Sequence, residues 1–179
     1  LQGVSYLRDK LSATEFAQIQ PYDFFPVAAT VSDAVVRLKF PENKFYYWKG
    51  QEADLIIFIA DAEPPQRRYR YASVLLEVAE RFGVSTLYTV CAFPAPISHS
   101  SAPRVFGVVN HADLVAQVKR FGVSPMGDRN LTSMNALLLS IARTRQLRGV
   151  YLLAEVPSYA TKMVNPRSSK AVLEVLAPM

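Results

Sequence analysis

Residues 54–65 read Asp54-Leu55-Ile56-Ile57-Phe58-Ile59-Ala60-Asp61-Ala62-Glu63-Pro64-Pro65. The run from Leu55 to Ala60 shows no alternation of apolar and polar residues. Such a run predicts a strand apolar on both faces, as in a central parallel strand covered by helices on both sides. The two prolines suit a first helical turn, where a missing N–H costs nothing. A helix is expected from about Gln66 to Phe82, with Ala72, Leu75, Leu76 and Ala79 as its buried stripe and Gly83 as the C′ residue. Thr86–Ala92 reads as the next strand. Residues 54–92 thus predict one β–α–β unit, right-handed by the crossover rule.

Toward the C-terminus the alternation of strand and helix continues. Arg104–Val109 reads as a strand, with Asn110 as cap of a helix His111–Arg120 and Asp113 near its positive end. Thr132 is expected to cap a helix Ser133–Thr144 that turns Leu137, Leu138 and Ile141 inward. Gly149–Ala154 is a strand, and Asn165-Pro166 is an N-cap with an N1 proline for a last helix to about Leu176. Toward the N-terminus, Leu1–Lys10 reads as an amphipathic helix with Val4, Leu7 and Leu11 on one face. Pro21 and Pro26 frame a turn. Val27–Val31, Ala34–Phe40 and Lys44–Trp48 predict three short strands in an antiparallel meander. The fold class is α/β: a single domain over 1–179 with a mostly parallel central sheet flanked by helices and an antiparallel meander.

Composition narrows the function. The chain has 179 residues, 50% apolar and 20% charged, with a net charge of +5, which excludes disorder and fibrous repeats. The single cysteine, Cys91, excludes an internal disulfide and any multi-cysteine metal site, and points to a reducing, cytoplasmic setting. The longest apolar run is far below the ~20 residues that span a bilayer, so no membrane partner is expected. No signal peptide is visible, and a chain opening on Leu1 reads as one that starts elsewhere than the native start. The clusters Arg67, Arg68, Arg70 and Arg143, Arg145, Arg148 read as a solvated helix end and a loop. They are too short for a nucleic-acid stripe.

In open α/β sheets, ligands sit beyond the carboxyl ends of the strands. Those ends carry Asp61, Glu63, Asn110, Glu155 and Tyr159, which would line one crevice if the strands are parallel. The structural alternative is that Glu63 charge-pairs at a helix start and Glu155 pairs with an arginine. His99 and His111 are not at metal-ligand spacing, so no metal is expected. Cys91 sits in an apolar strand and reads as an inert thiol. There is neither a P-loop nor a dinucleotide fingerprint, and Ser98, Ser100 and Ser101 around His99 form no nucleophile elbow. No cofactor and no catalytic set are expected. The Pro- and Ser-rich stretch Ala92–Pro103 is either a binding edge or a plain connector.

Certain segments resemble the proteasome assembly chaperone family. These are Ala62-Glu63-Pro64-Pro65 after its strand, the strand that ends in Glu155-Val156-Pro157-Ser158-Tyr159, Asn165-Pro166 with its helix, and Asp23-Phe24-Phe25. The resemblance covers most of residues 1–177. It implies a fold similar to purine nucleoside phosphorylases, assembly into homo- or hetero-oligomers, and a non-enzymatic role; its ligase-like labels find no ATP-site residues here. It also implies a first strand and a Gly-rich turn before the helix 1–10, both missing from this chain, and a second Gly-rich turn where Gly127–Thr132 has one glycine. The ending Leu176-Ala177-Pro178-Met179 lacks the hydrophobic–Tyr–any tail of proteasome binders, which speaks against docking through this terminus.

The leading reading is a non-enzymatic protein-binding module that self-associates, with its partner unassigned. The stretch Phe45-Tyr46-Tyr47-Trp48 offers aromatic anchors for an interface or packs on its own core. The alternative is a phosphorylase or nucleosidase in which Asp61, Glu63 and Glu155 hold a ribose and protonate a leaving base. A phosphate cradle is missing for it. Nucleic-acid binding through the arginines is a third option, identified by steep salt dependence.

Overall fold

The computed structural model describes residues 2–26, 28–32 and 34–179. The chain divides into two compact units, Val4–Tyr71, and Leu1–Gly3 with Ala72–Met179. Among the described residues it forms an α/β fold of five α-helices and mixed sheets.

The first unit holds most of α1 (Gly3–Lys10), then β1 (Thr14–Gln18), a 3-10 turn (Pro21–Asp23), β2 (Ala28–Ser32), β3 (Val35–Lys39), β4 (Asn43–Trp48) and β5 (Leu55–Ala60). Leu1 and Val27, each expected to open an element, lie outside the described residues. β2 and β3 form the expected antiparallel hairpin. The meander stops there, because β4 pairs with β1 and β5 instead, antiparallel to both. β1 escapes a sequence reading because Thr14-Glu15-Phe16-Ala17-Gln18 is short and mostly exposed. The aromatic stretch on β4 is partly spent inward. Phe45 is buried and its ring lies 4.6 Å from Phe58. Phe24 and Phe25, in the expected turn, are buried as well, with Phe24 edge-on to Tyr71 at 5.1 Å.

β5 corrects the central expectation. Leu55–Ala60 is not a parallel strand buried on both faces: it lies at a sheet edge, antiparallel to β4, and only Ile57 is buried. The local connection decides this pairing. Asp54 accepts the Gly50 N–H at 3.2 Å and the Tyr47 hydroxyl at 2.8 Å, which closes the β4–β5 hairpin over a short, cheap loop.

The second unit takes up α2 (Arg68–Arg81) from Ala72 onward. It continues with β6 (Thr86–Ala95), β7 (Val105–Val109), α3 (Leu114–Arg120), β8 (Ser124–Pro125), α4 (Met134–Thr144), β9 (Arg148–Pro157), a 3-10 turn (Ser158–Ala160) and α5 (Pro166–Leu176). The sheet order is β6-β9-β7-β8, so β5 and β6 belong to different sheets and the β–α–β expectation is corrected. β6 runs parallel to β9 and β7 parallel to β8, but β7 is antiparallel to β9. The expected parallel sheet is therefore mixed. The cause is chain length: the helix-free loop between β6 and β7 cannot return the chain to its starting end, which takes a crossover of about a dozen residues or more.

β9 is the strand the apolar run near Leu55 was expected to be. Every residue after Arg148 in it is buried. Val150, Leu152 and Ala154 pack on one face with Leu114 and Val118 of α3 and Val172 of α5. Tyr151 and Leu153 pack on the other with Ala136 and Leu139 of α4. Each fully buried aliphatic side chain contributes roughly 1.5–3 kcal/mol, so β9 organises this unit's core. The buried stripe of α2 is as expected, and Gly83 ends that helix at φ +65°, a conformation a side chain would strain. Asn165 caps α5 by accepting the Ser168 N–H at 3.3 Å. The cap of α4 is Ser133, which accepts the Ala136 N–H at 3.2 Å, rather than Thr132. Asn110 does not cap α3, which begins after Asp113 with no side-chain cap bond.

Candidate functional site

The direction of β7 determines which expected residues meet. Val105 pairs with Ala154 and Val109 with Val150, so the carboxyl end of β7 lies beside the start of β9. Asn110 therefore sits at one end of the sheet and Glu155 at the other, roughly 20 Å apart at the rise of a strand. Asn110 is buried and works as a clip. Its Nδ2 donates to the carbonyls of Leu147 (2.8 Å) and Leu139 (3.3 Å), and its Oδ1 accepts the Gly149 N–H at 2.8 Å. Gly149 leaves it room, since a Cβ there would stand 2.5 Å from Leu139 Cδ1 and 3.3 Å from Asn110 Nδ2. These bonds fix the entry into β9 and leave Asn110 no part in a crevice with Glu155.

At the opposite end, where β6 and β9 finish and β7 begins, a second cluster forms. Glu155 is 2% exposed. Arg104, just before β7, meets it with three groups: the backbone N–H at 2.9 Å from Oε2, Nη2 at 2.6 Å from Oε1, and Nε within 3.2 Å of both oxygens. The Arg104 side chain holds the Glu155 carboxyl below its usual range against the opposing effect of burial, while Glu155 raises Arg104. The Ser168 hydroxyl of α5 donates to the Glu155 carbonyl. One residue thus ties β9 to the start of β7 with its side chain and to α5 with its backbone.

Tyr159 extends the cluster. It stands in the 3-10 turn after β9, 66% exposed, and its hydroxyl accepts the His99 backbone N–H at 2.7 Å and lies 2.9 Å from His99 Nδ1. Arg167 Nη1 donates to the Ser100 carbonyl at 2.9 Å. The Pro- and Ser-rich loop after β6 is thereby pinned to the turn after β9 and to α5. Arg104, Ser168 and His99 were not among the expected site residues. The sequence pointed only to an unnamed arginine as partner of Glu155; the antiparallel register of Val105 with Ala154, continued one step, is what sets Arg104 opposite it.

Asp61 and Glu63 belong to the first unit. Asp61 accepts the Glu42 N–H at 3.0 Å and closes the end of the β4–β5 ladder. Glu63 pairs with Arg68 at 3.5 Å, at the start of α2. Cys91 is half-buried, its thiol 3.3 Å from the Ala92 carbonyl. Among the described residues, no group of three or more His, Cys, Asp and Glu side chains is placed to hold a metal ion, and no helix is long and apolar enough to cross a membrane.

The comparisons with known proteins agree on one family. The family model described as "PAC2 family" matches residues 3–179, and the chain belongs to that family. Its fold matches a PAC2 family protein from Streptomyces avermitilis (TM-score 0.83, 20% identity, covering 99% of this chain and 77% of that one). It matches a proteasome-assembly chaperone homologue of Mycobacterium tuberculosis, Rv2125, equally well (TM-score 0.84, 20% identity, 99% and 77%). PbaB of Pyrococcus furiosus, described as an archaeal proteasome activator, aligns at TM-score 0.78 and 26% identity over 98% of this chain and 77% of that one. No curated protein matches the sequence. The family resemblance read from the sequence motifs therefore stands.

Proposed function

We propose that this chain is a non-enzymatic protein-binding module of the assembly-chaperone type, and that it self-associates. One observation carries the reading. Glu155, the one buried carboxylate of the phosphorylase alternative, has both carboxylate oxygens committed to Arg104 and a lowered pKa. A general acid at neutral pH needs the opposite shift. The strand-end motif supports a binding edge of fixed shape around Glu155 and Tyr159, with Asn110, Asp61 and Glu63 serving elsewhere. The names of the similar structures add weight, since they include a proteasome-assembly chaperone homologue and an archaeal proteasome activator.

In the same reading the fold is of the purine nucleoside phosphorylase-like kind, one domain working in the cytoplasm. Its partners are proteins rather than nucleic acid or membrane. The phosphorylase alternative is not favoured, because Glu155 and Asp61 are bonded into the framework and Glu63 pairs with Arg68. The test is affinity capture of the tagged protein from native lysate with quantitative mass spectrometry, alongside analytical ultracentrifugation. A stoichiometric protein partner and a defined oligomer support the reading. A partner-free monomer that turns over nucleosides with phosphate, and stops doing so as Glu155→Gln, refutes it.

A further inference from the structure

We propose that the surface formed by the loop 96–104 and residues 158–167 docks an acidic segment of a partner protein, with that segment's apolar side chains seated between its carboxylates. The inference rests on the protein-binding reading above and names the chemistry of the partner.

Three large apolar side chains stand exposed within a few residues of one another: Tyr159 at 66%, Met163 at 71% and Val164 at 61%. Exposed apolar residues clustered within a polar surround mark interaction sites. The charges that the two segments carry are of one sign. The two segments contain Arg104, Lys162 and Arg167 and no Asp or Glu. Glu155, three residues before the second segment, is buried and its charge is balanced by Arg104, so Lys162 and Arg167 carry the segments' excess positive charge.

The surface is also held in shape before any partner arrives. Tyr159 is bonded to His99, and Arg167 to the Ser100 carbonyl. Docking then costs little ordering entropy. Complementarity to a surface that combines cations with exposed apolar side chains requires carboxylates and aliphatic or aromatic side chains together. A nucleic acid would ask for several stacking rings, whereas Met163 and Val164 supply none. An anionic lipid surface is usually met by a cluster of about four to eight basic residues, more than stand here.

The test uses the full chain and fluorescence anisotropy of two labelled peptides. One alternates Glu with Leu and Phe; the other replaces every Glu by Lys. The acidic peptide is expected to bind at least about tenfold more tightly, with affinity falling as salt rises. The double variant Lys162→Glu/Met163→Asp is expected to weaken that binding by about tenfold with its thermal transition unmoved. Should the double variant fail to fold, Lys162→Glu alone carries the same test from an exposed position.

Equal affinity for the two peptides, or unchanged binding by the variants, overturns the proposal. So does tighter binding of a single-stranded oligonucleotide or of phosphatidylserine vesicles than of the acidic peptide. Dissociation of a wild-type oligomer by the substitutions would reassign the surface to self-contact and also overturn it. Lysate capture separates this proposal from the reading beneath it. A partner retained equally by the double variant overturns this surface and leaves the protein-binding reading standing. A wild-type chain that captures nothing and binds neither peptide overturns both.

Discussion

Arg104 and Glu155 exchange bonds of two different kinds. The Glu155 N–H donates to the Arg104 carbonyl at 3.1 Å, as in an antiparallel ladder. The Arg104 N–H donates back to the Glu155 carboxylate at 2.9 Å instead of to its carbonyl. That carbonyl is left for the Ser168 hydroxyl. The ladder ends here because a side chain has taken over the role of the backbone.

Glu155→Gln keeps the shape of the side chain and removes its charge. The amide accepts with one oxygen only and turns an NH2 group toward Arg104. Because hydrogen bonds to a charged group are lost at a buried position, the substitution should lower unfolding free energy by about 1–3 kcal/mol. Urea titration followed by circular dichroism measures this. Far-ultraviolet signal at zero denaturant should match wild type, since β9 is held by its apolar faces.

The same pair makes stability depend on pH. The Glu155 pKa is lowered on folding, chiefly by the Arg104 side chain. The unfolded value is about 4.3. The contribution is therefore fully present above that value and is lost as pH falls through the lower, folded one. The stability gap between wild type and Glu155→Gln should be constant near neutrality and should shrink as the pH is taken below about 4. A gap that stays the same down to acid unfolding would show that the pair's charge contributes nothing.

Tyr159→Phe removes an exposed hydroxyl that holds the loop 96–104 through His99. Its global cost should stay within about 0.5 kcal/mol, the usual range for surface sites. The local effect should be clear: the His99 amide and its neighbours exchange hydrogen faster. Mass spectrometry of peptides covering 96–104 reads this directly, with peptides from β9 as the unchanged control.

In the first unit, Tyr71 donates to Asn43 Oδ1 at 2.6 Å, and both residues are buried. Burial pushes the phenol pKa upward, so the group remains a neutral donor. Tyr71→Phe leaves a buried carbonyl oxygen without this donor, at about 1–3 kcal/mol. Tyr69→Phe, at an exposed position on the same helix, should be close to neutral and serves as the comparison.

Local signals carried most of the sequence reading. Asn165-Pro166 and the α2 stripe ending at Gly83 follow from chemistry within a few residues and lie where expected, and the strand read over Gly149–Ala154 is present but runs longer, from Arg148 to Pro157. Pairing partners were less legible. Leu55–Ala60 and β9 are both apolar runs, and only their neighbours decide that one lies at an edge and the other at the centre. Asn110 reads as a helix cap because it precedes a helical pattern, yet its amide is claimed by Leu147 and Gly149, residues distant in sequence. A crevice assembled from strand ends needed the direction of β7, and the short loop before it was the cue that went unused.

The parallel ladder from Thr86–Arg148 to Ala95–Pro157 joins segments about sixty residues apart. This has a consequence for the order of events during synthesis. Among the described residues β6 has no ladder partner other than β9, which emerges about fifty residues after it. Closing so long a loop precedes any reward from the contacts it brings, so this step should set the folding rate of the second unit. Until then the apolar edge of β6 is bare on the nascent chain, the condition under which chains most readily associate wrongly.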